Sequence, residues 1–129
     1  MTQKHERGAA AVELAIILPI LLTLLFGIIE FGRAYNASIV VTHSAREAVR
    51  KVALGATDAQ AITAGQLAGN SLPGGVSVAS ISAADSCPAN VLDQKAKTTV
   101  TYPFTFEIPF VPSLTLVTIS KTATMLCGG

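Results

Sequence analysis

Three ionisable residues stand at the borders of an apolar stretch that would otherwise exclude charge. Glu13 precedes it, Glu30 and Arg33 follow it, and the residues from Leu14 to Ile29 between them carry no charge. A charge at the centre of a membrane helix costs about 2.5–3.5 kcal/mol on insertion scales. A proton relieves that cost, and so does an opposite charge close by. Arg33 follows Glu30 at i,i+3, so on a helix the two neutralise each other as an ion pair at the membrane edge. A span is reachable only if Glu13 or Glu30 sits near an interface, carries a proton or finds a partner, so Glu13 needs an interface, a proton or a partner. Glu13 and Glu30 lie about 26 Å apart along one helix, too far to serve as an acid–base pair.

The remaining candidates are two cysteines and a histidine. Cys87 and Cys127 both follow the apolar run. An even pair on an exported side suggests one disulfide, closing a loop of roughly 40 residues and worth about 3–4.7 kcal/mol in the chain-entropy model. Two free buried thiols are the alternative. A metal site needs more ligands than these thiols and the distant His43 offer. His43 is the only histidine after the N-terminal polar residues, so a histidine-based triad would have to use it. No serine lies in a nucleophile-elbow motif, and there is no P-loop and no GxGxxG. His43 therefore reads as a solvated or interface side chain. The expectation is a protein that is not an enzyme and uses no cofactor.

The elements that position these residues begin with a rod. Sixteen uncharged residues rise about 24 Å as a helix, short of the roughly 30 Å hydrocarbon core. Ala9, Ala10, Ala11 and Val12 extend the apolar surface on one side and Phe31 on the other, giving a membrane span of about residues 14–32 inside one helix over 9–54. Pro19 should kink it or loosen a turn. Beyond Arg33 the pattern turns amphipathic, with Tyr35, Ile39, Thr42, Val49, Val52 and Ala53 near one face and Arg46, Glu47, Arg50 and Lys51 elsewhere. Glu47 and Lys51 stand at i,i+4, and Gly55 is a natural stop. Such a helix, about 69 Å long, cannot all be buried in a small domain. Its first half needs lipid or neighbouring subunits.

A capping box, Thr57-Asp-Ala-Gln60, opens a short second helix that ends near Ala68. Residues 72–75 form a turn. Strands are expected over 76–82, 95–102 and 114–125. Three prolines between Pro103 and Pro112 forbid a central strand there. That connector, with Phe104, Phe106, Ile108 and Phe110, should fold over the core; an exposed partner patch is the other reading. The fold class is α+β: a long N-terminal transmembrane helix, a short second helix and a small, mostly antiparallel sheet of about three strands. The divisions are a polar leader at 1–8 with no fold of its own, the long helix at 9–54, and a small exported domain at 55–129.

Charge sets direction and excludes some partners. Lys4, His5 and Arg7 before the run hold the N-terminus in the cytoplasm, so the rest crosses. Arg33, Arg46, Arg50 and Lys51 on the far side oppose that asymmetry unless the chain after Arg33 is exported as a domain. With a net charge of +1 and no tryptophan, the chain shows no general attraction for nucleic acid.

A basic leader ending in Gly8, then small residues, then Glu13 five positions on, resembles the class III signal of type IV pilins and pseudopilins. The longer string from Arg7-Gly8-Ala-Ala-Ala-Val-Glu-Leu-Ala through Leu18-Pro19 to Phe26-Gly-Ile-Ile-Glu-Phe-Gly-Arg33 resembles the TadE/TadG pilin-like proteins of the tight adherence (Flp) pilus. The resemblance is dense from Arg7 to about Leu54. It implies cleavage by a prepilin peptidase between Gly8 and Ala9, leaving Glu13 as the fifth mature residue. It also implies that Glu13 pairs with the new α-amino group of a neighbouring pilin subunit during assembly. Opposite charges in an apolar bundle attract strongly, and either one alone is expensive. Common type IV pilins carry an aromatic residue after the cut, and Ala9 stands there instead, which fits the Tad branch better than type II secretion pseudopilins. The implied location is the bacterial inner membrane, single-pass, with the domain exported and possible entry into an extracellular pilus. The competing readings are a secretory signal peptide cut poorly near Gly32-Arg33-Ala34, and an uncleaved anchor carrying a periplasmic binding module.

Overall fold

The computed structural model describes residues 3–79, 81, 86–87, 94–107 and 117–128. Helix α1 runs from Gln3 to Ala53 and helix α2 from Asp58 to Ala68. Strands β1 (Ser77–Val78), β2 (Lys95–Phe104) and β3 (Val117–Leu126) form one antiparallel sheet in the order β1-β2-β3. This is the α+β layout expected, a long apolar helix, a short helix and three strands.

Local chemistry explains the helix ends. Gly55 takes φ 76°, which a side chain would resist, and its N–H donates to the Val52 carbonyl at 2.9 Å as α1 stops. The capping box at α2 is complete. Thr57 N–H donates to Gln60 Oε1 at 3.1 Å, and Gln60 N–H returns a bond to Thr57 Oγ1 at 3.4 Å. At the other end of the chain's helical part, α1 already includes residues 3–8. The expected foldless leader is corrected there: glutamine, lysine, glutamate and arginine are good helix formers, and nothing in the sequence stops the helix before Gly8. The helix also runs without interruption through Pro19.

The core forms where α1 crosses the sheet. Ala37, Val41, Ser44, Ala45, Ala48, Val49 and Val52 are buried, in steps of three and four residues. This corrects the expected face in part. Val49, Val52 and Ala53 are buried and Thr42 is half-buried, but Tyr35 and Ile39 are exposed. Large residues lose that competition because the sheet and α2 come close to α1 only over small side chains. At Gly65 of α2, an added Cβ would lie 2.9 Å from Val78 Cγ2 and 3.1 Å from Ala48 Cβ. Ser44, the one hydroxyl in the stripe, donates to the Gly65 carbonyl and so stays satisfied.

Strand β2 shows the clean alternation of a sheet with one packed face. Ala96, Thr98, Val100, Tyr102 and Phe104 are buried, and the residues between them face outward or are half-buried. Pro103 lies inside this central strand, a correction to the expectation that proline forbids it. The register supplies the reason. Thr99 accepts from Ala79 N–H, so the odd residues of β2 direct their backbone toward β1. Ser77, the first residue of β1, pairs with Thr101, so Pro103 lies past that strand's end. Its missing N–H removes no ladder bond. Strand β1 covers only Ser77–Val78 of the expected 76–82, of which 80 and 82 lie outside the described residues. Strand β3 starts at Val117 and ends one residue beyond the expected Met125; positions 114–116 lie outside the described residues, as do Ile108 and Phe110.

Candidate functional site: the anchor and its junction with the domain

The apolar stretch of α1 is bare. Every side chain from Gly8 to Leu25 is exposed, including Val12, Leu14, Ile16, Leu21 and Leu24. Among the described residues one helix is long and apolar enough to cross a membrane, and its most apolar window has mean hydropathy 2.7 with none of it buried. In a soluble fold such a surface would be covered. Gly8 and Ala9, the expected cleavage pair, are exposed residues of this helix, and a Cβ at Gly8 would meet nothing within 4 Å. Glu13 is also exposed and makes no hydrogen bond or ion pair among the described residues.

The junction is at Glu30. Counting from Gly8, it is the first buried residue of α1, at 6% exposure. Arg33 Nη1 donates to Glu30 Oε1 at 2.7 Å. The same nitrogen lies 3.6 Å from Glu107 Oε2, and the guanidinium carbon sits 5.7 Å from the centre of the Phe104 ring. Phe106 meets Phe104 edge-on, with ring centres 5.1 Å apart. One arginine thus ties the helix to the end of β2 by charge and by its π contact. The hydrogen bond to Glu30 holds the Arg33 pKa above its usual value, so it stays charged at every working pH. Glu30 Oε2 is buried with no partner among the described residues.

The spacing of Glu30 and Arg33 pointed to a pair on one helix. It gave no hint of Glu107, which lies 74 residues further on and reaches Arg33 only through the fold. The alternation of Phe104 and Phe106 did signal apolar residues near the core, where Phe104 is buried and Phe106 packs against it. Cys87 and Cys127 are joined in a disulfide, with Cα atoms 5.5 Å apart. Cys127 N–H donates to the Gln94 carbonyl at 2.9 Å and Gly128 N–H to the Ala53 carbonyl at 3.3 Å. These contacts fasten the end of β3 to the start of β2 and to the end of α1. No cluster of three or more metal-binding side chains occurs among the described residues, and His43 is exposed.

Residues 8–50 match the family model described as TadE-like protein. Over these residues, less than half of its length, the chain is similar to the TadE-like family. The TadE-like segment takes in Gly8, Ala9, Glu13, Glu30 and Arg33, the whole bare half of α1 and most of the stripe that packs on the sheet. It stops short of α2, the sheet and both cysteines. No curated protein and no solved structure matches the chain. The TadE-like segment and a single N-terminal apolar helix fit a membrane-anchored protein related to the Tad pilus.

Proposed function

We propose that this protein is a structural or assembly component of a Tad (Flp) pilus, a minor pilin or pilin-like subunit. A prepilin peptidase cuts it after Gly8, and α1 then holds it in the bacterial inner membrane with its N-terminus cytoplasmic and its domain exported. Its role is assembly rather than catalysis. The observation that carries this reading is the bare, TadE-like half of α1 with a Glu13 near its start that has no partner among the described residues. That half requires lipid or other helices around it, and a charged Glu13 within it is stabilised by a cation. The α-amino group released at Ala9 of an adjoining subunit supplies one.

Mass spectrometry of the membrane form tests the processing step. A mature N-terminus at Ala9 is expected; an intact Met1, or a cut near Gly32, rejects it. Glu13→Ala should abolish assembly into sheared pili while leaving cleavage largely intact. Normal piliation in that variant removes the charge role. Recovery of the uncut protein only in membranes, never with pili, favours an anchored binding module instead.

A further inference from the structure

Strand β3 is ten residues long and, among the described residues, pairs with β2 on one side only. Cys127 N–H donates to Gln94, so the odd residues of β3 turn their backbone toward β2. The even ones, Thr118, Ser120, Thr122, Thr124 and Leu126, turn theirs to the free edge, where those N–H and C=O groups meet no partner among the described residues. Such an edge is a template for another strand.

What lies beside the edge selects the strand. A groove of about 390 Å³ runs between α1 and β3, and Val49 and Met125 are among the residues that line it. Arg46, Arg50 and Lys121 line it against a single carboxylate, Glu47. None of the three cations makes an ion pair; among the described residues the only ion pairs are those of Arg33. A second copy of the chain is a poor occupant. Its β3 would bring Lys121 and the same arginines to a groove that is already cationic. We propose that this edge and groove take an extended acidic segment of a different protein. That segment adds to β3 as a fourth strand and sets its carboxylates against Arg46, Arg50 and Lys121. The proposal does not rest on the pilus reading, since cleavage at Gly8 can fail while the edge still binds.

The test uses the full chain in detergent micelles and two labelled ten-residue peptides, one alternating valine with glutamate and one alternating valine with lysine. The glutamate peptide should bind at least ten-fold tighter. It should also slow amide exchange at Thr118, Ser120, Thr122, Thr124 and Leu126, leaving the already bonded odd positions unchanged. Thr124→Pro removes one edge N–H without removing a β2–β3 bond and should weaken binding at least ten-fold. Paired Arg46→Glu and Arg50→Glu substitutions should do the same without touching the strand, so the proposal stays testable if the proline variant misfolds. Equal binding of the two peptides overturns it. So does binding indifferent to both sets of variants. Protection of the same amides by raising protein concentration alone assigns the edge to a second copy and also overturns it.

Discussion

The two halves of α1 are one continuous helix with opposite rules of burial. From Val12 to Ile29 the large aliphatic residues Leu14, Ile16, Leu21 and Leu24 are exposed, while from Ala37 to Val52 the buried residues are alanine, serine and valine. Apolar character therefore does not decide what is inside. The first half carries side chains suited to lipid or to other helices, and the second carries side chains small enough to let a sheet and a second helix approach. Glu30 and Arg33 stand where one rule gives way to the other.

The contrast breaks most sharply at the disulfide. Cys127→Ser should lower the stability of the domain by roughly 3–4.7 kcal/mol, the loop being 40 residues long. Urea unfolding in micelles should then show the sheet lost early while the signal of the first half of α1 persists. A single transition shared by both halves would mean that they are one cooperative unit. Leu21→Arg should weaken membrane insertion by about 3–4 kcal/mol, the difference between leucine and arginine at a helix centre. Membrane fractionation reads this, and Tyr35→Arg, past the span on the exposed face, should leave the protein in the membrane.

Smaller effects sharpen the boundary. Gly65→Val would drive a side chain into Val78 and Ala48 and should destabilise the domain by about 1–3 kcal/mol, with insertion unchanged. Arg33→Met leaves the buried Glu30 oxygens without a donor and should cost about 1–2 kcal/mol, less than for a fully buried pair because Arg33 reaches solvent. Adding Glu30→Gln should recover part of that loss. If the double variant is no better than the single one, the arginine acts through Phe104 rather than through the carboxylate.

Much of this architecture was legible in local residue types. The rod, its stop at Gly55, the Thr57–Gln60 box and the turn at 72–75 each follow from a few adjacent residues whose backbone preferences agree. What was not legible depends on contacts made across the chain. Helical spacing puts Tyr35 and Ile39 near one face with Val49 and Val52, yet both are exposed, and the inward face is the one that Gly65 and the sheet approach. Pro103 looked like a strand breaker, and only the short β1 beside it makes its missing N–H harmless. The pairing of Glu30 with Arg33 can be read from i,i+3 spacing, but the second carboxylate at Glu107 depends on where β2 ends.

The bond from Gly128 N–H to the Ala53 carbonyl has a mechanical consequence. From Glu30 to Ala53 the rod advances about 35 Å, so Gly128 sits at the end of the helix opposite to its apolar half. A reporter fused after it would ride at that far end of the rod, held there by the Cys87–Cys127 link rather than trailing back toward the apolar half.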